Sequence, residues 1–149
     1  MTRFLVDAMR GKLARYLRMC GYDAAYALDR GVEDDEAVVA LARREDRTLL
    51  TRDGAAAARA DDAILLTERE VLAQLRELRT AGVAVSLADR PTRCGACNGE
   101  LGAVAVDADV PAYAPDPGET SVWRCRRCGQ CFWKGSHWDD VRERLARLD

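Results

Sequence analysis

The residues able to do chemistry in this chain are six cysteines and a few aspartates set at the ends of predicted strands. Cys94-Gly-Ala-Cys97 and Cys125-Arg-Arg-Cys128 are two C-x2-C pairs with 27 residues between the inner cysteines. Each pair can close a tight knuckle, and Gly129 supplies the residue able to take a positive φ that often follows one. Two knuckles bring four thiolates together, the donor set of a closed, tetrahedral, structural zinc site. An iron–sulfur centre draws on the same ligands. Cys128-Gly-Gln-Cys131 offers a second register, so one cysteine must stay out of a four-ligand site. The symmetry between Cys94/Cys97 and Cys125/Cys128 excludes Cys131. Cys20 falls on the apolar face of a predicted helix and reads as an inert core thiol.

The second constellation is acidic. Asp7 follows the first predicted strand, Asp34 and Asp35 open the second helix, and Asp53 follows the third strand. Carboxylates brought together repel one another unless a divalent cation neutralises them. Mg²⁺ or Mn²⁺ suits a few carboxylates, retained waters and substrate phosphate oxygens. Such a cation activates water and stabilises charge on a phosphoryl group. An aspartate at a helix start is also an ordinary cap, the favoured reading of Asp34 alone. An aspartate after a strand is often a turn residue. The three positions at one sheet edge are what point to a metal.

The elements that must position these residues are legible from periodicity. Residues 3–6 are a short buried strand. Met9, Leu13, Leu17 and Cys20 fall at helical spacing, with Gly21 at a helix end. Residues 24–28 are a second strand, and Val38, Val39, Leu41 and Ala42 face one side of a second helix. Thr48 to Leu50 form a third strand, followed by an alanine-rich helix over 55–60. Residues 63–66 are a fourth strand, and 68–79 an amphipathic helix. Alternation of strand and helix predicts an α/β fold with a parallel sheet and helices on both faces. Active sites of such sheets lie beyond the C-terminal ends of the strands, where Asp7 and Asp53 sit. Between about 80 and 93 helical patterning stops. The expected division is an α/β domain over 1–85, a zinc ribbon over 91–138 and a closing helix over 139–149. Leu101 to Val106, Val122-Trp123 and Phe132-Trp133 are the expected ribbon strands.

Composition sets the outer limits. Of 149 residues, 48% are hydrophobic, which is enough to build a core. The net charge of −2 gives no global field for nucleic acid, although local basic stripes still steer a ligand. Lys12 and Lys134 are the only lysines. No apolar stretch has the length of a signal peptide or a membrane span, so a cytoplasmic location is expected, with no membrane partner. Disulfides are rare in that compartment, which again turns closely spaced thiols toward metal. A receiver domain would need a lysine after a fifth strand, and none stands between Lys12 and Lys134. An aspartyl-phosphate phosphatase would need an aspartate where Met9 stands. No Walker or G-x-G-x-x-G sequence supports a nucleotide cofactor.

The segments FLVDAMRGKLARYLRMCGYD, EDDEAVVALARREDRTLLTRD, RCGACNGEL and CRRCGQCFWKGSHWDDV occur in this order. Together they resemble the Mut-seven C-terminal ribonuclease family, a PIN-like nuclease domain fused to a zinc ribbon. The resemblance covers roughly residues 3–142. It implies a metal-dependent ribonuclease whose acidic positions match Asp7, Asp35 and Asp53. Asp34 and Asp23 are candidates for a fourth acidic residue. Cys131 departs from the family pattern.

Basic residues would serve such an activity. Lys12, Arg15 and Arg18 recur every third residue just after Asp7 and are candidate contacts for an RNA backbone. Arg126 and Arg127, with Arg124 and Lys134, lie among Trp123, Phe132, Trp133 and Trp138. Basic residues interleaved with aromatics suit single-stranded RNA. A small ribbon also needs its aromatics for its own core. His137, the only histidine, matches a recurrent family position in GSHW, where it would contact phosphate, shuttle protons or hold a structural hydrogen bond. The alternative function is an RNA-binding or adaptor protein that keeps the fold without catalysis. A toxin-like component with a protein antitoxin is a third reading.

Overall fold

The computed structural model describes residues 2–8 and 11–148. Met9 lies outside the described residues. The first half is a four-stranded parallel sheet in the order β2-β1-β3-β4. Its strands are β1 (Phe4–Val6), β2 (Ala24–Tyr26), β3 (Thr48–Thr51) and β4 (Ala63–Leu65). They alternate with α1 (Lys12–Met19), α2 (Asp35–Arg44) and α3 (Gly54–Arg59), and α4 (Val71–Thr80) follows. The predicted second strand is cut short because Leu28–Arg30 turn into a 3₁₀ helix ended by Gly31. The fourth helix starts later than the apolar pattern suggested, because the Glu70 carboxylate caps it by accepting from the Ala73 amide.

Period-two alternation sorts the strands onto two faces. Phe4, Val6, Ala24 and Leu50 pack with Leu13 and Leu17 of α1 and with Leu75 and Leu78 of α4. Leu5, Ala25 and Leu49 pack on the other face with Val38, Leu41 and Ala42 of α2 and with Ala56 of α3. The expected helices on both faces are therefore present. The chain leaves β1 toward β2 over one face and returns past β1 to β3 over the other. A crevice opens beyond the C-terminal ends of the strands at that reversal, between β1 and β3.

The second half holds an antiparallel sheet of β5 (Leu101–Ala103), β6 (Trp123–Cys125) and β7 (Cys131–Phe132). The closing helix α5 (Ser136–Ala146) begins before residue 139 and does not end the chain as a detached piece. Its Val141 and Leu145, with Leu148, join the core that contains Phe4 and Leu17. Val85 of the connecting segment is buried in the same core. Cys20 is buried there too, and burial pushes its thiol up to about 11, consistent with an inert residue. No described helix is long and apolar enough to cross a membrane.

Arg18 requires a correction. It is 3% exposed and does not present its guanidinium to solvent beside Asp7. Nε donates to the Ala24 carbonyl at 2.9 Å and one terminal nitrogen to the Gly95 carbonyl at 2.8 Å. The physical reason is helical drift. Six residues at about 100° each leave Arg18 about 120° around the helix from Lys12. Arg18 thus ties the edge strand β2 to the first cysteine knuckle. Asn98 completes the joint: its side chain donates to Asp23 at 2.6 Å and accepts from the Ala24 amide at 3.0 Å. Arg18→Ala is expected to cost roughly 2–3 kcal/mol, because a buried and a half-buried carbonyl lose a charged donor. Urea denaturation followed by tryptophan emission measures it, and a loss under 0.5 kcal/mol would contradict the assignment.

Candidate functional site: an acidic cleft and a four-cysteine cluster

Asp7, Asp35 and Asp53 line one open cleft of about 900 Å³ at the crevice between β1 and β3. Asp7 is fixed where β1 ends: its amide donates to the Leu50 carbonyl at 2.9 Å. Its carboxylate accepts from the Ala8 amide at 2.7 Å and from the Thr51 hydroxyl at 2.6 Å. Thr51 is fully buried, and its oxygen also accepts from the Asp53 amide at 3.0 Å. One hydroxyl therefore sets the spacing of two of the aspartates. Sequence reasoning missed this role, although Thr51-Arg52-Asp53 at a strand end was the signal for it.

Asp53 caps α3, with Oδ1 accepting from the Ala55 and Ala56 amides at 2.9 and 3.3 Å. Asp34 caps α2 by accepting from the Ala37 amide, as an aspartate alone at a helix start should. That leaves the neighbouring Asp35 free to face the cleft. A hydrogen bond to Asp53 holds the Asp35 carboxyl above its ordinary pKa, helped by partial desolvation and by the charges of Asp53 and Asp7. The Ala56 and Ala55 amides and the hydrogen bond with Asp35 hold Asp53 below its own. Crowded carboxylates repel one another, and a divalent cation between them relieves that repulsion. Hard oxygen donors in an open polar cleft fit Mg²⁺ or Mn²⁺, which keep several waters. The three carboxylates are more widely spaced than the cysteines described below.

Of the two candidates for a fourth acid, neither lines the cleft. Asp23 lies at the opposite end of the sheet, where its carbonyl accepts from the Phe4 amide. Burial opposes its ionisation, but hydrogen bonds from Arg47, Asn98 and Arg3 overcome that and hold it at about 2. Glu33 and Glu70 do line the cleft. Lys12 lines it as well, whereas Arg15 lines a separate cavity that His137 also borders. Arg126 and Arg127 border neither. The Arg127 guanidinium donates to the Cys97 carbonyl at 3.1 Å, and Arg126 lies against Gly102 of β5.

Cys94, Cys97, Cys125 and Cys128 form the one set of three or more metal-ligating side chains, among the described residues, whose donor atoms all lie within 4.8 Å of one another. Cys94 and Cys128 sulfurs are 3.6 Å apart, and those of Cys97 and Cys125 3.5 Å. Tetrahedral zinc with Zn–S bonds of about 2.3 Å requires sulfur separations of about 3.8 Å, so the set fits such an ion. The two knuckles repeat one another. The Asn98 amide donates to Cys94 and the Gly129 amide to Cys125, at 2.8 and 3.0 Å. Asn98 and Gly129 both take positive φ, 70° and 80°. This equivalence places Cys131 outside the cluster, in β7, where its amide donates to the Tyr113 hydroxyl. Burial raises the Cys125 thiol, but amide donors from Cys128 and Arg127 outweigh it and bring it down to about 6.

Gly99 follows from the same crowding. A Cβ there would stand 2.7 Å from the Cys125 sulfur and 3.2 Å from that of Cys97. Gly99→Ala is expected to abolish stoichiometric metal binding, measured as zinc per chain on purified protein. One zinc per chain in the variant would refute it.

The Mut7-C RNAse domain family model matches residues 2–145. The chain belongs to this family. Nearly its whole length, sheet and cysteine cluster together, is one Mut7-C unit. No curated protein and no solved structure gives a significant match. The Mut7-C assignment makes the acidic cleft the candidate nuclease centre, and the cysteine cluster a candidate metal site joined to the opposite end of the parallel sheet.

Proposed function

We propose that this protein is a ribonuclease that hydrolyses RNA phosphodiester bonds at the Asp7–Asp35–Asp53 cleft with Mg²⁺ or Mn²⁺, and that Cys94, Cys97, Cys125 and Cys128 hold one structural zinc. The observation that carries it is the meeting of three carboxylates from three separate elements at the switch point of the sheet, in a chain of a nuclease family. A bound divalent cation supplies charge neutralisation and activation of water. The chain's own residues do the positioning. Asp7 and Asp53 present oxygen donors held by Thr51 and by the α3 amides, and Asp35 faces the same cleft from the start of α2. Lys12, at the start of α1 in the cleft wall, offers a cation for the phosphate. Arg15, Arg126, Arg127 and His137 extend basic and polar contact toward the ribbon. Arg18 is left out of this set because its guanidinium is buried.

The closed thiolate shell makes the zinc a scaffold, since it leaves no open position for substrate. The test is cleavage of labelled single-stranded and structured RNAs by zinc-loaded protein with Mn²⁺, Mg²⁺ or neither. Cleavage is expected only with the added cation. Tight RNA binding with no product in Mn²⁺ would overturn hydrolysis in favour of a non-catalytic RNA-binding protein.

A further inference from the structure

A second cavity, of about 320 Å³, lies between α1 and the ribbon. Its wall is aromatic, with Phe132, Trp133 and Trp138, and its polar margin includes Arg15 and His137. No carboxylate lines it. Its size is at the lower end of ligand pockets, roughly 300–1,000 Å³, and matches one planar heterocycle better than a peptide or helix. Arg15 has no ion-pair partner among the described residues, although most other arginines near the joint are engaged. Trp138 is 4% exposed, and its indole N–H finds no acceptor among the described residues. A buried donor left unpaired calls for a partner. Lys12 in the acidic cleft and Arg15 in the cavity wall are three residues apart on α1, so about 4.5 Å separates them along the helix axis.

We propose that this cavity seats one unpaired nucleobase of the RNA strand whose phosphodiester lies in the aspartate cleft, with a neighbouring phosphate on Arg15. The proposal rests on the nuclease reading for the identity of the strand, but the cavity itself argues for the base. Flat aromatic walls accept the face of any base by stacking, and a guanidinium without a carboxylate partner complements phosphate. Duplex RNA does not offer a free base, so the substrate class is single-stranded RNA or a loop. The ribbon then contributes a wall of the substrate site, which a purely scaffolding module would not.

Two of the three tryptophans line the cavity, so emission reports occupancy without any cleavage. Zinc-loaded full-length protein, with no Mg²⁺ or Mn²⁺ added, is titrated with UMP, AMP and ribose 5-phosphate. Saturable quenching by the nucleotides is expected, with ribose 5-phosphate at least ten-fold weaker. Ala96 and Ser136 line the cavity from the knuckle and from α5. Ala96→Phe and Ser136→Phe should each fill it and weaken nucleotide binding roughly ten-fold or more. Ser136→Phe leaves the knuckle untouched, so it stands if Ala96→Phe disturbs the zinc. Arg15→Gln should weaken binding of nucleotide but not of free nucleoside. Equal binding of ribose 5-phosphate and UMP, or unchanged nucleotide affinity in zinc-loaded Ser136→Phe, would overturn the proposal. Nucleotide binding that survives in protein that cuts no RNA supports the cavity and sinks only the nuclease reading. Cleavage without nucleotide binding does the reverse.

Discussion

Asp53→Asn is expected to lower RNA cleavage in Mn²⁺ by roughly a thousand-fold, about 4 kcal/mol of transition-state stabilisation. The substitution isolates charge from structure. Asp53 caps α3 through Oδ1, and asparagine caps a helix about as well as aspartate. The amide of residue 53 still donates to Thr51. What disappears is one negative oxygen in a cleft that needs it to hold a cation. Asp7→Asn should abolish cleavage to a similar degree, with a larger structural cost. Asp7 accepts from both the Ala8 amide and the Thr51 hydroxyl, on different oxygens, and an amide group has a single acceptor. Initial rates on a labelled single-stranded RNA, with melting temperatures as a control, measure both. Activity within ten-fold of wild type in folded Asp53→Asn would remove the carboxylate cluster from the mechanism.

Loss of zinc should be the largest structural effect. Binding of a structural zinc contributes about 10–16 kcal/mol at neutral pH in small modules. Here β5, β6 and β7 span only three, three and two residues. So short a sheet cannot bury enough apolar surface to hold itself together. Cys94→Ser is expected to lose zinc and to red-shift tryptophan emission, because Trp123, Trp133 and Trp138 all lie in the ribbon or in α5. The damage should spread to the parallel sheet. Arg18 and Asn98 bind the first knuckle to β2, and α5 carries Val141 and Leu145 back into the N-terminal core. The melting temperature of the whole chain should therefore fall. Cys131→Ser, outside the cluster, should keep one zinc per chain. Retention of zinc by Cys94→Ser, or its loss from Cys131→Ser, would reverse the ligand assignment.

Local signals in the sequence were reliable where one residue type answers one local demand. The two C-x2-C pairs became equivalent knuckles because a tight turn followed by a positive φ is determined within six residues. The short apolar runs in RFLV and TLLT became buried strands, with neighbours on opposite faces. Asp34 capped its helix, and Asp35 was released to the cleft.

Arg18 was misread because a count of every third residue says nothing of which side of a helix meets the protein. Asp23 looked like a spare acid, and is the hub of an ion-pair network at the far end of the sheet. The closing helix was expected from the sequence, but its apolar residues do not name the core they join. Thr51 was invisible as a site residue because its importance lies in bonds to two aspartates 44 and two positions away in the chain.

The sequence by itself determined the parallel α/β plan, the four clustered thiols and the three aspartates of the cleft, since each follows from short-range periodicity, spacing or strand-end position. Only the tertiary structure decided that the ribbon is bolted to β2 and that α5 closes the N-terminal core. It also decided that an aromatic cavity opens one helical turn from the acidic cleft. These are long-range contacts, fixed by which surfaces can be buried together, and no local pattern in the chain records them.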